Sequence, residues 1–223
     1  VSVGGNAANN AVGVVRLGVR AGLVTTLGDD HIAKTIRARL EEERVDLSYL
    51  TVQENSPSNY STIINYGGER TIFTYRPERV YSFPNSFPAV EWAYLTSMAE
   101  NFDGYYAQVL DWVKTNQVKL AFNPGSRQIR AGLEKIQNVL AETYIVYINR
   151  SEAESLTSIT NSHNKEKELL QATCDLGPKI SIITDGGGGA YAYDGERFYH
   201  SGVLPVDAYE RTGAGDAFGA GCV

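Results

Sequence analysis

From Ala8 the apolar residues Ala8, Ala11, Val12 and Val15 recur at helical spacing, between Gly4-Gly5-Asn6 and Gly18, which predicts a first helix. The apolar run Leu23 to Leu27 reads as a strand, and Gly28-Asp29-Asp30 then offers a capping carboxylate before the stripe Ile32, Ile36, Leu40. Between Tyr60 and Tyr75 the pattern turns extended, with Ser-Thr-Ile-Ile-Asn-Tyr and Thr-Ile-Phe-Thr-Tyr divided by Gly67-Gly68, a β-hairpin signature. Alternation then resumes. Strands are predicted at Trp92–Thr96, Val118–Phe122, Tyr144–Ile148 and Ile180–Thr184, and helices around Tyr106–Val113, from Ser126 through Ile129, Leu133, Ile136 and Leu140, and near Lys165–Leu176. A second extended pair, Ala190–Tyr193 and Arg197–His200, is joined at Asp194-Gly195, and the loop from Pro205 runs into a last helix. Short strands alternating with amphipathic helices predict right-handed βαβ units, hence one α/β domain over residues 1–223 with a mainly parallel sheet. Its ligand site belongs beyond the carboxyl ends of the strands.

Composition narrows the class. Lys and Arg number 20 against 26 Asp and Glu, a net charge of −6, without the one-signed basic stripe that a phosphate backbone requires, so no nucleic acid partner is expected. Cys174 and Cys222 stand far apart and outside any metal or disulfide spacing, which fits a reducing cytoplasm. No long apolar run and no signal-peptide pattern occurs, so no membrane partner is expected. The chain opens Val-Ser-Val-Gly-Gly, has its only methionine at Met98 and stops inside a predicted helix. It reads as an internal part of a longer gene product.

Thr212-Gly213-Ala214-Gly215-Asp216 carries the strongest chemistry. Two glycines let the chain turn and present bare N–H groups to an anion, and Asp216 then falls in the first helical turn, placed to take a proton from an attacking hydroxyl. The competing account is an ordinary loop with Asp216 complementing the helix dipole. Gly213, Gly215 and Gly219 also resemble a loose dinucleotide fingerprint, but at the end of the chain no following strand supplies the acidic ribose anchor. Gly186-Gly187-Gly188-Gly189 precedes a strand rather than a helix; it is either a plain hairpin loop or a backbone that passes close to phosphates. Asn149 and Glu152, after a strand, are either ligand-facing groups or a helix cap. His31, His163 and His200 stand alone in polar surroundings, and no P-loop motif is present.

Together these pieces resemble the ribokinase-like carbohydrate kinase family, also called the phosphofructokinase B family, in order along essentially the whole chain. Its amino-terminal Gly-Gly-x-x-x-Asn appears as Gly4, Gly5 and Asn9, and its Gly-Ala-Gly-Asp is intact at Gly213, Ala214, Gly215 and Asp216. The resemblance implies a three-layer fold with helices on both faces of the sheet and a small β lid, the hairpin near 58–76. It implies transfer of the γ-phosphate of ATP, with Mg2+, to a hydroxyl of a sugar or sugar-like molecule, and Asp216 as base with Gly213, Ala214 and Gly215 beside it. It further implies substrate contacts from Gly4, Gly5, Asn9, Arg76 and Arg127, and nucleotide contacts from Thr184, Gly186, Gly189 and Thr212. Asn149 and Glu152 would hold the metal through water. A homodimer through the lid is a further expectation. One departure stands out: Glu210-Arg211-Thr212 places an arginine where many members have the first of two threonines. The family's leading strand and the helices completing its adenine pocket would lie outside the chain, which leaves the chain's own activity open. A nucleoside kinase of the same family, a non-catalytic ligand-binding fragment and a dinucleotide oxidoreductase are the alternatives.

Overall fold

The structure, a computed structural model, describes residues 2–66, 69–206 and 213–223. The chain divides into two compact units, Val1–Ser86 and Phe87–Val223. In the first, α1 (Asn6–Arg16), β1 (Thr25–Leu27), α2 (His31–Glu42) and β2 (Leu50–Val52) precede the hairpin β3 (Tyr60–Tyr66) and β4 (Glu69–Tyr75). The predicted stripes meet: Ala11, Leu23, Leu40 and Val45 form a core against which Ala8, Val12, Val15 and Ile36 pack. β1 pairs in parallel with β2, while Leu23, expected within the strand, lies in that core ahead of the paired residues. The hairpin is antiparallel, Tyr60 opposite Tyr75, and its Gly67-Gly68 turn lies outside the described residues.

Asp30 caps α2 as its position predicts, Oδ1 accepting from the Ala33 N–H at 2.9 Å. It also accepts from Ser58, N–H at 2.8 Å and hydroxyl at 2.7 Å, and the Ser58 main-chain N–H is the chief cause of a carboxyl pKa lowered from 3.8 to about 2. A depressed carboxyl pKa adds stability above the unfolded value, which is lost as pH falls through the folded one. Asp30→Ala is therefore expected to cost about 1–2 kcal/mol in denaturant unfolding at pH 7. The gap from wild type should close between pH 3.8 and about 2.

The second unit runs β5 (Trp92–Thr96), α3 (Asp103–Asn116), β6 (Lys119–Asn123), α4 (Ser126–Arg130), α5 (Leu133–Glu142), β7 (Thr143–Asn149), α6 (Arg150–Thr157), α7 (Glu166–Asp175), β8 (Ile180–Thr184), β9 (Ala190–Tyr193), β10 (Phe198–Ser201) and α8 (Ala214–Ala220). Its six-stranded sheet has the order β10-β9-β8-β7-β6-β5, with β5 to β8 parallel and the β9–β10 ribbon antiparallel at one side. Asp194 shapes the ribbon's turn, its Oδ1 accepting from the N–H groups of Glu196 at 2.9 Å and Arg197 at 2.7 Å. On one sheet face Phe122 meets Tyr106 of α3 edge-on, and on the other Ala121, Ile145 and Tyr147 gather beside Tyr94 and Val223. Strand alternation is what sends neighbours Ala121 and Phe122 to opposite faces.

The helix predicted from Ser126 through Leu140 is two helices. Gly132 breaks it at φ 107, a left-handed conformation that no helix interior holds, and α5 restarts at Leu133. α6 is an element that hydrophobic periodicity did not mark. Among the described residues no helix is long and apolar enough to cross a membrane.

Candidate active site

In the second unit the carboxyl ends of β5 to β8 share one edge of the sheet. Thr96 pairs with Asn123 there, and Asn149 with Thr184, so polar residues close neighbouring strands. The Asn123 Nδ2 donates to the Tyr147 carbonyl at 2.6 Å, fixing that side chain between β6 and β7. Beyond Thr184 the glycine run forms a single 3₁₀ turn, Gly186–Gly188, closed by Asp185 N–H to Gly189 O at 2.8 Å. Gly189 leaves it at φ 87, and a Cβ there would lie 2.0 Å from the Ser201 carbonyl, so the chain passes against β10 only because that position is bare.

A cleft of about 280 Å³ opens over this turn. It is lined by Thr184, Gly186 and Gly189 from the turn and by Ala214, Gly215 and Phe218 from α8. Two of the expected motifs, far apart in sequence, therefore border one cavity. Ala190, Ser201, Gly202 and Val203 complete the lining. Sequence reading passed these four over because small and apolar side chains carry no chemical signal. The predicted β9–β10 pairing was their only trace, since it sets Ala190 opposite Ser201.

α8 is seated by packing. Gly219 lies against the Tyr147 ring, where a Cβ would come within 2.4 Å, and Tyr147 stacks on Tyr94 at 5.5 Å with the rings 3° apart. Asp216 stands half-buried in the first turn of α8. Its charge reaches Tyr94: burial pushes that phenol up, the Thr96 hydroxyl pulls it back, and the Asp216 carboxylate adds to the rise. At the start of α6, Asn149 and Glu152 form a full capping box, Asn149 Oδ1 accepting from Glu152 N–H at 2.9 Å and Glu152 Oε2 from Asn149 N–H at 3.0 Å. Burial raises the Glu152 pKa, against the lowering pull of Asn149's hydrogen bonds.

The remaining expected residues are placed as follows. Arg127, in α4, lies 3.3 Å from exposed Glu100. In the first unit Gly4 and Gly5 are exposed ahead of α1, and Asn9 N–H donates to Gly5 O at 2.8 Å, which places Gly5 and Asn9 in the helix's first turn with Gly4 just before it. Arg76 is exposed just past β4. Thr212, Arg211 and Glu210 lie outside the described residues. Among the described residues no group of His, Cys, Asp and Glu gathers as metal ligands. His200 lies on the surface as expected, where its ring stacks on Tyr191 at 4.5 Å and its Nε2 lies 3.0 Å from the Gly188 carbonyl.

The chain belongs to the pfkB family of carbohydrate kinases, whose family model matches residues 1–223. These enzymes are phosphotransferases, and the family takes in kinases of sugars and nucleosides. A fructokinase of Salmonella typhimurium is 27% identical over 232 residues, covering 98% of this chain and 75% of that protein. A ribokinase of Haemophilus influenzae is 26% identical over 240 residues, 100% of this chain and 74% of its own. Among solved structures, a fructokinase from Vibrio cholerae O395 in its fructose, ADP and calcium ion bound form matches with a TM-score of 0.83 at 22% identity, over 98% of this chain and 74% of that one. The likeness shows the ribokinase-like α/β fold expected from the motifs.

Proposed function

We propose that this protein transfers the γ-phosphate of ATP in line to a hydroxyl of a sugar or sugar-like acceptor, in the cytoplasm. One observation carries the reading: Thr184, Gly186 and Gly189 share a cleft with Ala214 and Gly215, so the segments that the motifs assign to the donor border the same space. Asp216, following Gly215 in the first turn of α8, is the proposed base for the acceptor hydroxyl. Main-chain N–H groups of the Gly213–Gly215 stretch would stabilise charge on the transferring group, with Thr212 beside them. For the acceptor we propose, on motif alone, Gly4, Gly5 and Asn9, with Arg76 and Arg127.

Asn149 and Glu152 suit a hydrated divalent cation. Glu152 is a half-buried carboxylate whose pKa is raised by burial, and Asn149 beside it brings a side-chain oxygen, so the pair offers oxygen donors to a hydrated cation. Magnesium bound there would neutralise phosphate charge during transfer. The exposed apolar side chains of the β3–β4 hairpin, among them Ile63, Ile72 and Phe73, are the surface we propose for pairing with a second copy.

A coupled assay of ADP release with the intact protein, run over pentoses, hexoses, keto-deoxy sugar acids and nucleosides, tests the activity. Turnover with one acceptor class is the expected result. The absence of both ADP release with every acceptor tested and ATP binding by calorimetry would overturn it.

A further inference from the structure

Arg150 sits between Asn149 and Glu152 in sequence, yet its side chain leaves the cap and is buried, 8% exposed. Nη1 donates to Ser162 O at 2.9 Å and to Ser162 Oγ at 3.0 Å. Nη2 donates to Glu166 Oε1 at 2.9 Å and to Asp185 Oδ2 at 2.8 Å, and the guanidinium lies 5.9 Å from the centre of the Tyr191 ring. Its partners thus come from the loop after α6, from α7, from the glycine turn and from β9. Desolvating a guanidinium with two carboxylates contributes little to stability compared with an apolar cluster, so an arrangement of this kind is better explained by what it holds in place.

What it holds is the turn that borders the cleft. Thr184 and Gly186 both line the cavity, while Asp185 between them does not and turns its carboxylate to Arg150. The same Asp185 organises the turn by accepting from Gly188 N–H at 2.8 Å and donating to Gly189 O at 2.8 Å, with its carboxylate packed where a Gly188 Cβ would stand, 2.6 Å from Oδ2. On the far side Tyr191, the ring beside Arg150, stacks on His200, whose Nε2 reaches Gly188 O. The turn is gripped through Asp185 at one end and through Gly188 at the other.

We propose that Arg150, acting through Asp185, is a positioning residue for the phosphate donor: a rigid strut that fixes the distance between the Asn149–Glu152 cap and the Gly186–Gly189 turn. The inference rests on the proposed placement of ATP at this cleft. Small displacements of groups that orient a reacting phosphate carry large kinetic costs, because alignment is most of what the protein contributes to such transfers.

The test uses the intact protein and three variants, Arg150→Met, Asp185→Asn and the double change, with KM determined separately for Mg-ATP and for the acceptor. In each single variant the KM for Mg-ATP is expected to rise roughly tenfold, with the acceptor KM within about twofold of wild type. The double variant should be no worse than the worse single one, since both break the same link. Asp185→Asn leaves Arg150 its bonds to Glu166 and Ser162 and so keeps the test decisive if Arg150→Met fails to fold. A wild-type KM for Mg-ATP in Asp185→Asn, an equal rise in both KM values, or additive effects in the double variant would each overturn the strut. Absence of ATP binding to the wild-type protein would instead overturn the donor site itself.

Discussion

Asp216→Asn is expected to lower kcat roughly a thousandfold, the middle of the range for loss of a general base, while leaving the KM for acceptor and donor close to wild type. The amide matches the carboxylate in shape, so α8 keeps its seat on Tyr147, and loss of the first-turn charge costs at most about 1 kcal/mol in helix-dipole energy. What disappears is the group able to receive the hydroxyl proton. Turnover within tenfold of wild type would place the base elsewhere.

Gly189→Ala is expected to destabilise the protein by about 3 kcal/mol, adding the strain of a left-handed alanine to the displacement of packed main chain. The added methyl would meet the Ser201 carbonyl at 2.0 Å, and neither the turn nor β10 can yield without breaking the β9–β10 ladder that joins Ala190 to Ser201. Gly186→Ala is the matched control. Its φ of 50 is also left-handed, but nothing lies within 4 Å of the added carbon, so about 1 kcal/mol is expected. Urea unfolding of the pair measures the difference, and equal losses would show that β10 does not press on the turn.

Much of this arrangement is written locally in the chain. Trp92–Thr96, Ile180–Thr184 and Ala190–Tyr193 agree with their predicted ends because each is an extended apolar or aromatic run bounded by polar residues or glycine. Asp30 and Asn149 cap the helices they precede because the signal for a cap is a single residue acting on amides two or three positions away. The break at Gly132 leaves no mark in the pattern because Ile129, Leu133, Ile136 and Leu140 keep helical spacing across it, and periodicity is blind to one residue of reversed φ. The Arg150–Asp185 contact was invisible for a different reason. It joins residues 35 apart through the pairing of β7 with β8, and a charged residue next to a motif reads as solvated surface until the fold buries it. The expected donor segments were found by their glycines, whereas the rest of the cleft is built from residues whose only contribution is shape.

At the cation site proposed above, the reciprocal bonds of Asn149 and Glu152 bear on how the start of α6 would respond. Each side chain already secures the other's main-chain N–H, at 2.9 and 3.0 Å, so that first turn is held by the polypeptide itself. A magnesium ion arriving there would act as a counter-charge and not as a staple: occupancy would change the field over the cleft while the path of the backbone stayed as it was.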